Sequence, residues 1–423
     1  MQLIEKALKI EKHETKAAFV SFAFVFILMS AYYILRPVRD AMASDWSDAE
    51  VSFLWTLNFF ISTAVVAVYG VAVSKVKFQQ LVPGVYAFFG LSFVAFYIGI
   101  AVVTDRTLVD KCFYVWVSVF SLFHISVFWS FMSDLYNKQQ AIRLYGFIAS
   151  GASAGALLGP SVPVLFAAKL GTDILLLIAA LMLILPVILI LYLNRLKVTE
   201  LGNEDVSTDL SAAKIGGKPF AGFKLFLTTP YLLGIGLFLF LYTSISTFIY
   251  FEQKNLLVVY DRETRIQILG ALDWVMNTLT FVIALFLTNR LVLKFGMPTT
   301  LALVPVFVVG GMLILAAAPV IGVVLALQLA RRTGNYAITK PGREMLFTVV
   351  DRETCFKAKP VIDIVIYRGG DMLNAWAFTG LTAGLGMGLG AVAMVGAVIA
   401  AVWALTGLYL GRQFNKEQEK MVV

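Results

Sequence analysis

DILLLIAALMLILPVILILYLN (173–194) has no charged residue after its first position, and at this length an apolar helix crosses the hydrocarbon core of a bilayer, which takes about 20 residues. Working outward, comparable stretches lie at 17–36, 51–74, 81–103, 113–136 and 144–168 before it, and at 230–251, 266–289, 299–318, 320–339, 361–384 and 391–411 after it. Composition agrees: of 423 residues, 60% are hydrophobic and 14% charged, against roughly 25% charged in a soluble domain. The expected fold is all-α and integral to the membrane, with about twelve transmembrane helices. These divide into two pseudo-symmetric six-helix bundles, 1–194 and 229–423, around a polar cytoplasmic linker at 195–228. Parallel repeats of this design are major-facilitator-like.

The opening MQLIEKALKIEKHETK is charged and mixed in sign, whereas a cleavable signal has a short apolar core before small residues. It reads as a cytoplasmic amphipathic lead-in. With that end inside, inner segments hold 23 of the 34 Lys and Arg and outer segments hold eight. Short cytoplasmic loops carry the excess of basic residues, so both termini are expected in the cytoplasm. The net charge of +8 then requires no nucleic-acid partner, because anionic lipid at the inner leaflet accounts for basic loops. Cys112 and Cys355 fall on opposite sides of the membrane, and neither has a Cys or His at metal-ligand spacing. No cofactor and no metal is expected. IGGKPFAG (215–222) is the nearest approach to a phosphate-binding loop, but Ala212 stands where its first glycine should be and Pro219 replaces the hydroxyl residue.

The two halves share further features. A polar inner loop leads into a helix rich in small residues at 133–160 and again at 350–384. Gly151, Gly155 and Gly159 repeat at four-residue spacing, as do Gly380, Gly384 and Gly388, which lets helices approach closely. Packing is the plainer reading of these stripes, and a role in rocking between halves is the sharper one. The third, sixth, ninth and twelfth spans have no charge between their ends, which suits lipid-facing supports. Ionisable or strongly polar residues occur on the first, second, fourth, eighth, tenth and eleventh. A charge at the bilayer centre costs about 2.5–3.5 kcal/mol on insertion scales, so it normally faces a cavity or a partner.

Residues three and four apart share a helix face, which groups the polar positions into stripes. Tyr32, Arg36 and Arg39 form one, with Asp40 beside them. Asp273 and Asn277 form another. Gln328, Arg332 and Asn335 align with Arg331 on the next face, and Asp363, Tyr367, Asp371 and Asn374 make the longest, with Arg368 adjacent. His124 lies mid-span, and Asn58 lies within the second span. Arg36 and Arg39 either end a helix and pair with Asp40 or Asp45 at the surface, or line an interior path. Arg331 and Arg332 lie too deep in their span for easy snorkelling. Asp273 and Asp371 are either proton-coupling carboxylates or structural partners of those arginines, and His124 is either a packing residue or a relay. Arginine offers fixed, always-charged donors to phosphate or carboxylate. The candidate solute-binding set is therefore Arg36, Arg39, Asp273, Asn277, Arg331, Arg332 and Arg368, and the candidate coupling or gating set is His124, Asp273 and Asp371. A midplane site of Arg39, Asp273, Arg332, Arg368 and Asp371 is expected.

AYYILRPVRDAM (31–42) resembles the first-helix signature of the ATP/ADP translocases of plastids and obligate intracellular bacteria. FWSFMSDLYNKQQAIRLYGF (128–147) is similar to the segment around their fourth and fifth helices, and NYAITKPGREMLFTVVDRETCFKAKPVIDIV (335–365) to the stretch after their tenth. The resemblance spans most of the chain. It implies exchange of nucleotides or another phosphorylated or anionic metabolite such as ATP or ADP, as a monomer in the bacterial cytoplasmic membrane. The family's first-helix lysine falls on Arg39. A family lysine on the eleventh helix falls on Asp371, a fourth-helix glutamate on Val117, and a basic residue of the tenth helix on Asn335. These changes are of a kind that weakens a tetraphosphate-sized anionic site.

The leading expectation is thus a non-enzymatic secondary transporter, an ATP/ADP-like antiporter, surrounded by membrane lipid. The alternatives are a proton-coupled carrier of a different small organic solute and a non-transporting membrane sensor or assembly partner.

Overall fold

The computed structural model describes residues 11–76, 78–203, 221–286, 288–350, 354, 358–359 and 361–422, and among these there is no β-strand. In lipid every backbone polar group must be satisfied within the chain, and helices do this locally. The helices are α1 Thr15–Met42, α2 Asp48–Lys75, α3 Phe78–Val102, α4 Thr107–Leu135, α5 Lys138–Leu158, α6 Ser161–Thr199, the short α7 Ala221–Thr228, α8 Pro230–Leu257, α9 Arg262–Phe286 and α10 Thr288–Ala317. They continue with α11 Ile321–Gly334, α12 Lys340–Met345, α13 Tyr367–Thr379 and α14 Leu389–Val422. Asn335–Thr339, between α11 and α12, is π-helical, as are Val361–Ile366 before α13 and Gly380–Gly384 after it.

Nine helical stretches among the described residues are long and apolar enough to cross a membrane. One of them, Gln139–Thr199, has 61 residues, about 90 Å as a continuous helix and so enough for two crossings. It is broken at Gly171, whose backbone (φ 73°, ψ 170°) is one that side chains rarely adopt. Gly296 breaks α10 in the same way (φ 74°, ψ 171°). Ile321–Met345 and Val361–Gly384 supply the remaining two helical spans, made less apolar by their polar stripes. The result matches the twelve-helix expectation. The lipid-facing logic is visible too. Leu91 on α3, Ile188 on α6, Phe307 on α10 and Leu405 on α14 are each at least 60% exposed, while Asp110, Asp134, Lys197, Glu252, Lys254 and Asp273 are buried.

By contact the chain forms two compact units. Unit 1 comprises Met1–Ala43, Phe60–Lys214 and Tyr260–Trp274, and unit 2 comprises Ser44–Phe59, Ile215–Val259 and Val275–Val423. Helices α2 and α9 therefore each run from one unit into the other. In unit 1, α1 packs on α4, α5 and α6, and α3 packs on α6. The glycine stripe of α5 lies on the α1 backbone. A Cβ at Gly151 would come within 2.6 Å of the Phe22 carbonyl oxygen, one at Gly155 would meet that of Phe26, and one at Gly159 would lie 2.8 Å from Ser30. Close packing is thus what this stripe provides.

In unit 2, α10 packs along α14, and α8 packs on α13, α14 and α11. The close glycine contacts here are on α14, where a Cβ at Gly390 would lie 2.7 Å from the Ala316 carbonyl oxygen and one at Gly407 would lie 3.0 Å from that of Leu301. Gly380, Gly384 and Gly388 face open space. Equal spacing does not say which face a neighbour covers, and among the described residues no neighbour lies within 4 Å of a Cβ on that stripe.

Candidate functional site

The candidate residues fall into two clusters, one in each unit. In unit 1, α1 continues through Pro37 and presents Arg36 and Arg39 on successive turns. Asp40 accepts from Arg39 Nε at 2.9 Å and Nη2 at 2.6 Å and lies 3.8 Å from Arg36 Nε. Asp273, brought in by α9 and only 2% exposed, stands 3.8 Å from the same Arg36 nitrogen. Arg39 Nη1 also donates to Ser118 Oγ at 3.2 Å, and its guanidinium covers the Tyr114 ring at 5.6 Å. The arginine side chains are 17% and 15% exposed, so they do not simply end a helix at the surface. Two arginines thus face two aspartates here.

His124 on α4 is buried beside it. Its ring stacks on Tyr32 at 4.4 Å, and its Nδ1 bonds the Ser121 carbonyl oxygen at 3.0 Å. Its own carbonyl accepts from Tyr86 Oη at 2.8 Å. Val117, where the resembling family carries a glutamate, is fully buried on the same helix.

In unit 2, Arg331 on α11 is 3% exposed. Its Nη2 and Nε donate to Gln328 Oε1 at 2.6 and 3.1 Å, its Nη1 lies 3.4 Å from Tyr242 Oη, and it covers the Tyr242 ring at 5.7 Å. Neutral groups thus hold this guanidinium in place. Gln328 partners Arg331 and not Arg332, the neighbour with which spacing aligned it. Arg332 is 7% exposed on the adjacent face of the turn. Arg368 Nη1 is 3.9 Å from Asp371 Oδ2, and its guanidinium sits 5.9 Å from the Tyr367 ring. Asn277 lies half-buried in the part of α9 that belongs to unit 2.

Tyr367, Asp371 and Asn374 share a face of α13, and Asp363 departs from that stripe. The π-helical turn Val361–Ile366 shifts the register before α13. Asp363 pairs instead with Arg343 at 3.1 Å, Arg343 also bonds Glu344, and Lys359 bonds Glu344 as well. This knot ties the KPGREM segment (340–345) to the start of the eleventh span. Between spans, the Asp261 carboxylate accepts from the Thr264 backbone N–H at 2.8 Å and from its hydroxyl at 2.7 Å, and these bonds lower its pKa.

Three sets of buried polar residues escaped the sequence reading. Lys197 Nζ meets Asp134 Oδ2 at 2.8 Å, with both side chains almost fully buried. Arg262 Nη1 meets Asp110 Oδ2 at 2.8 Å, and Arg265 donates to the Tyr260 carbonyl at 2.8 Å. Glu252, Gln253 and Lys254 are buried in the last turns of α8, which runs beyond the 230–251 span to Leu257. A charge at the edge of an apolar run looks like the start of a loop. The only signal available was that Glu252 follows the run without a turn residue between. Cys355 and most of the 215–222 segment lie outside the described residues.

No protein-family model matches the sequence, and no curated protein does. Among solved structures the chain is similar to a bacterial homolog of the human lysosomal transporter Spinster in an inward-facing, unoccupied conformation (TM-score 0.61, 14% identity, covering 96% of this chain and 98% of that one). It is likewise similar to that homolog in the occupied conformation (TM-score 0.60, 13% identity, 96% and 98%). The nucleoside transporter NupG gives a TM-score of 0.61 at 12% identity, covering 95% of this chain and 99% of that one. At these identities the likeness shows the fold: a multi-pass, major-facilitator-like membrane fold.

Proposed function

We propose that this chain is a secondary membrane transporter of a small anionic metabolite, working by alternating access, with nucleotides the first candidates. Arg331 carries the proposal. It is a buried cation whose hydrogen bonds go to the neutral Gln328 and Tyr242, and among the described residues no carboxylate is in contact with it. A guanidinium held in this way is preorganised for an anion. Arg36 and Arg39 are instead matched by Asp40 and Asp273, and Arg368 by Asp371, so in this reading they orient and screen rather than supply net charge.

The transporters of similar fold support the transport reading, and the stretches resembling ATP/ADP translocases support nucleotide exchange. The test is uptake of labelled ATP or ADP into proteoliposomes with and without internal nucleotide. Counter-exchange is expected. Its absence for all common nucleotides removes the nucleotide reading and leaves other phosphorylated or carboxylated solutes.

A proton-coupled carrier of a different small organic solute is the second reading, favoured by the buried carboxylate of Asp273. We further propose residence in the bacterial cytoplasmic membrane as a monomer, with both termini inside.

A further inference from the structure

The last turns of α8 hold a carboxyl group that neither arginine cluster uses. Glu252 is 0% exposed, and among the described residues no hydrogen-bond donor reaches either of its carboxylate oxygens. Its helix neighbours Phe248 and Phe251 pack on Phe378 of α13, with ring centroids 5.4 and 4.9 Å away. Two residues on, Lys254 turns its ammonium to Asp48 at 2.9 Å and to the Trp46 carbonyl at 2.7 Å. Asp48 also accepts from Thr382 at 3.0 Å and Asn255 at 3.3 Å, and Ser52 pairs with Thr379 at 2.8 Å. One carboxylate therefore gathers the donors at this end of unit 2, and the other has none.

The surrounding charges do not change this. On the elements packed against α8, the charged groups are Asp48 and Glu50 near the start of α2, Arg331 and Arg332 on α11, and Arg368 and Asp371 on α13, which also carries the Tyr367 phenol. Asp363 precedes α13, Lys224 lies on α7, and α14 carries no charge before Arg412. Of these, Asp48 is the one whose charge acts on Glu252, and it is of like sign. An ionised Glu252 would be an isolated buried charge beside another carboxylate, an arrangement that proteins avoid by keeping the group neutral.

We propose that Glu252 is a proton-binding site, holding a proton while Asp48 ties the start of α2 to α8 and to the π-helical turn after α13, and releasing it to water when those ties break. On release the Glu252 O–H bond breaks, the electron pair stays on the carboxylate, and the proton passes to solvent. The site stands without the transporter reading. Only its consequence, coupling solute movement to a proton gradient, rests on that reading.

Infrared difference spectroscopy on the purified full chain in lipid, titrated with pH, tests the site directly. A protonated carboxyl without hydrogen bonds gives a carboxylic-acid C=O stretch at the high-frequency end of its range. That band is expected in the wild type and in Asp371→Asn. It should be lost in Glu252→Gln, which keeps the shape of the neutral acid, and moved but present in Glu252→Asp. A band unchanged in Glu252→Gln, or no such band in the wild type, overturns the proposal, as does sodium binding that Glu252→Gln abolishes while the band is absent. In proteoliposomes, an imposed pH gradient is expected to change uptake of labelled ADP several-fold in the wild type and not at all in Glu252→Gln. If the band belongs to Glu252 and no probe moves, the transporter reading fails and the proton site stands.

Discussion

The pair Lys197–Asp134 offers a quantitative check on how this scaffold treats charge within its spans. The two groups meet at 2.8 Å, with side chains 3% and 7% exposed. At an effective dielectric of about 20, their attraction is about 6 kcal/mol, set against a desolvation penalty of several kcal/mol for each ion. The pair as a whole is therefore near neutral for stability. Removing Asp134 leaves the Lys197 ammonium buried without its carboxylate, at a cost of about 3–5 kcal/mol. Lys197→Met and Asp134→Leu should each lower the apparent melting temperature in mild detergent, on the order of 5 °C in a chain of this size. The double variant should return most of that loss, because no unpaired charge is left and two apolar side chains replace it. Two single effects that simply add, or single variants that melt like the wild type, would refute the reasoning. They would also weaken the argument that an unpartnered Glu252 must be neutral.

Two further outcomes follow from local geometry. Gly155→Ala drives a methyl group into the α1 backbone at Phe26 and should cost about 1–3 kcal/mol, whereas Gly384→Ala, with nothing within 4 Å, should leave the melting temperature unchanged. The hydrogen bonds that Asp261 accepts from Thr264 hold its folded-state pKa below the unfolded value. Its stabilisation is therefore complete above the unfolded pKa, about 3.9, and is lost as pH falls through the lower folded value. The melting temperatures of the wild type and Asp261→Ala should differ at neutral pH and converge in acid.

The twelve crossings were legible because lipid demands long apolar runs and DILLLIAALMLILPVILILYLN has no other reading. The clusters were legible only in part. Spacing placed Arg36, Arg39 and Asp40 on one helix, but Asp273 meets Arg36 through tertiary packing that no local pattern reports. The π-helical turns at 335–339 and 361–366 insert extra backbone into the helical repeat, and Asp363, inside the second of them, leaves the stripe and pairs with Arg343. Asp134, Lys197, Glu252 and Lys254 were hidden by their position at span ends, where a buried pair and a solvated loop have the same sequence.

Counter-exchange in proteoliposomes tests the central claim most directly: wild-type chain loaded with internal ADP, labelled ATP outside, and Arg331→Lys alongside. Lysine keeps the charge but loses the planar fork that Gln328 and Tyr242 position. Loss of charge-assisted hydrogen bonds, about 1.5–3 kcal/mol, corresponds to a rise in KM of about 10- to 100-fold. The account predicts saturable exchange in the wild type and that rise in the variant. Exchange of nucleotides, phosphorylated metabolites and carboxylates that is absent in the wild type, or that proceeds equally well without the Arg331 guanidinium, would contradict it.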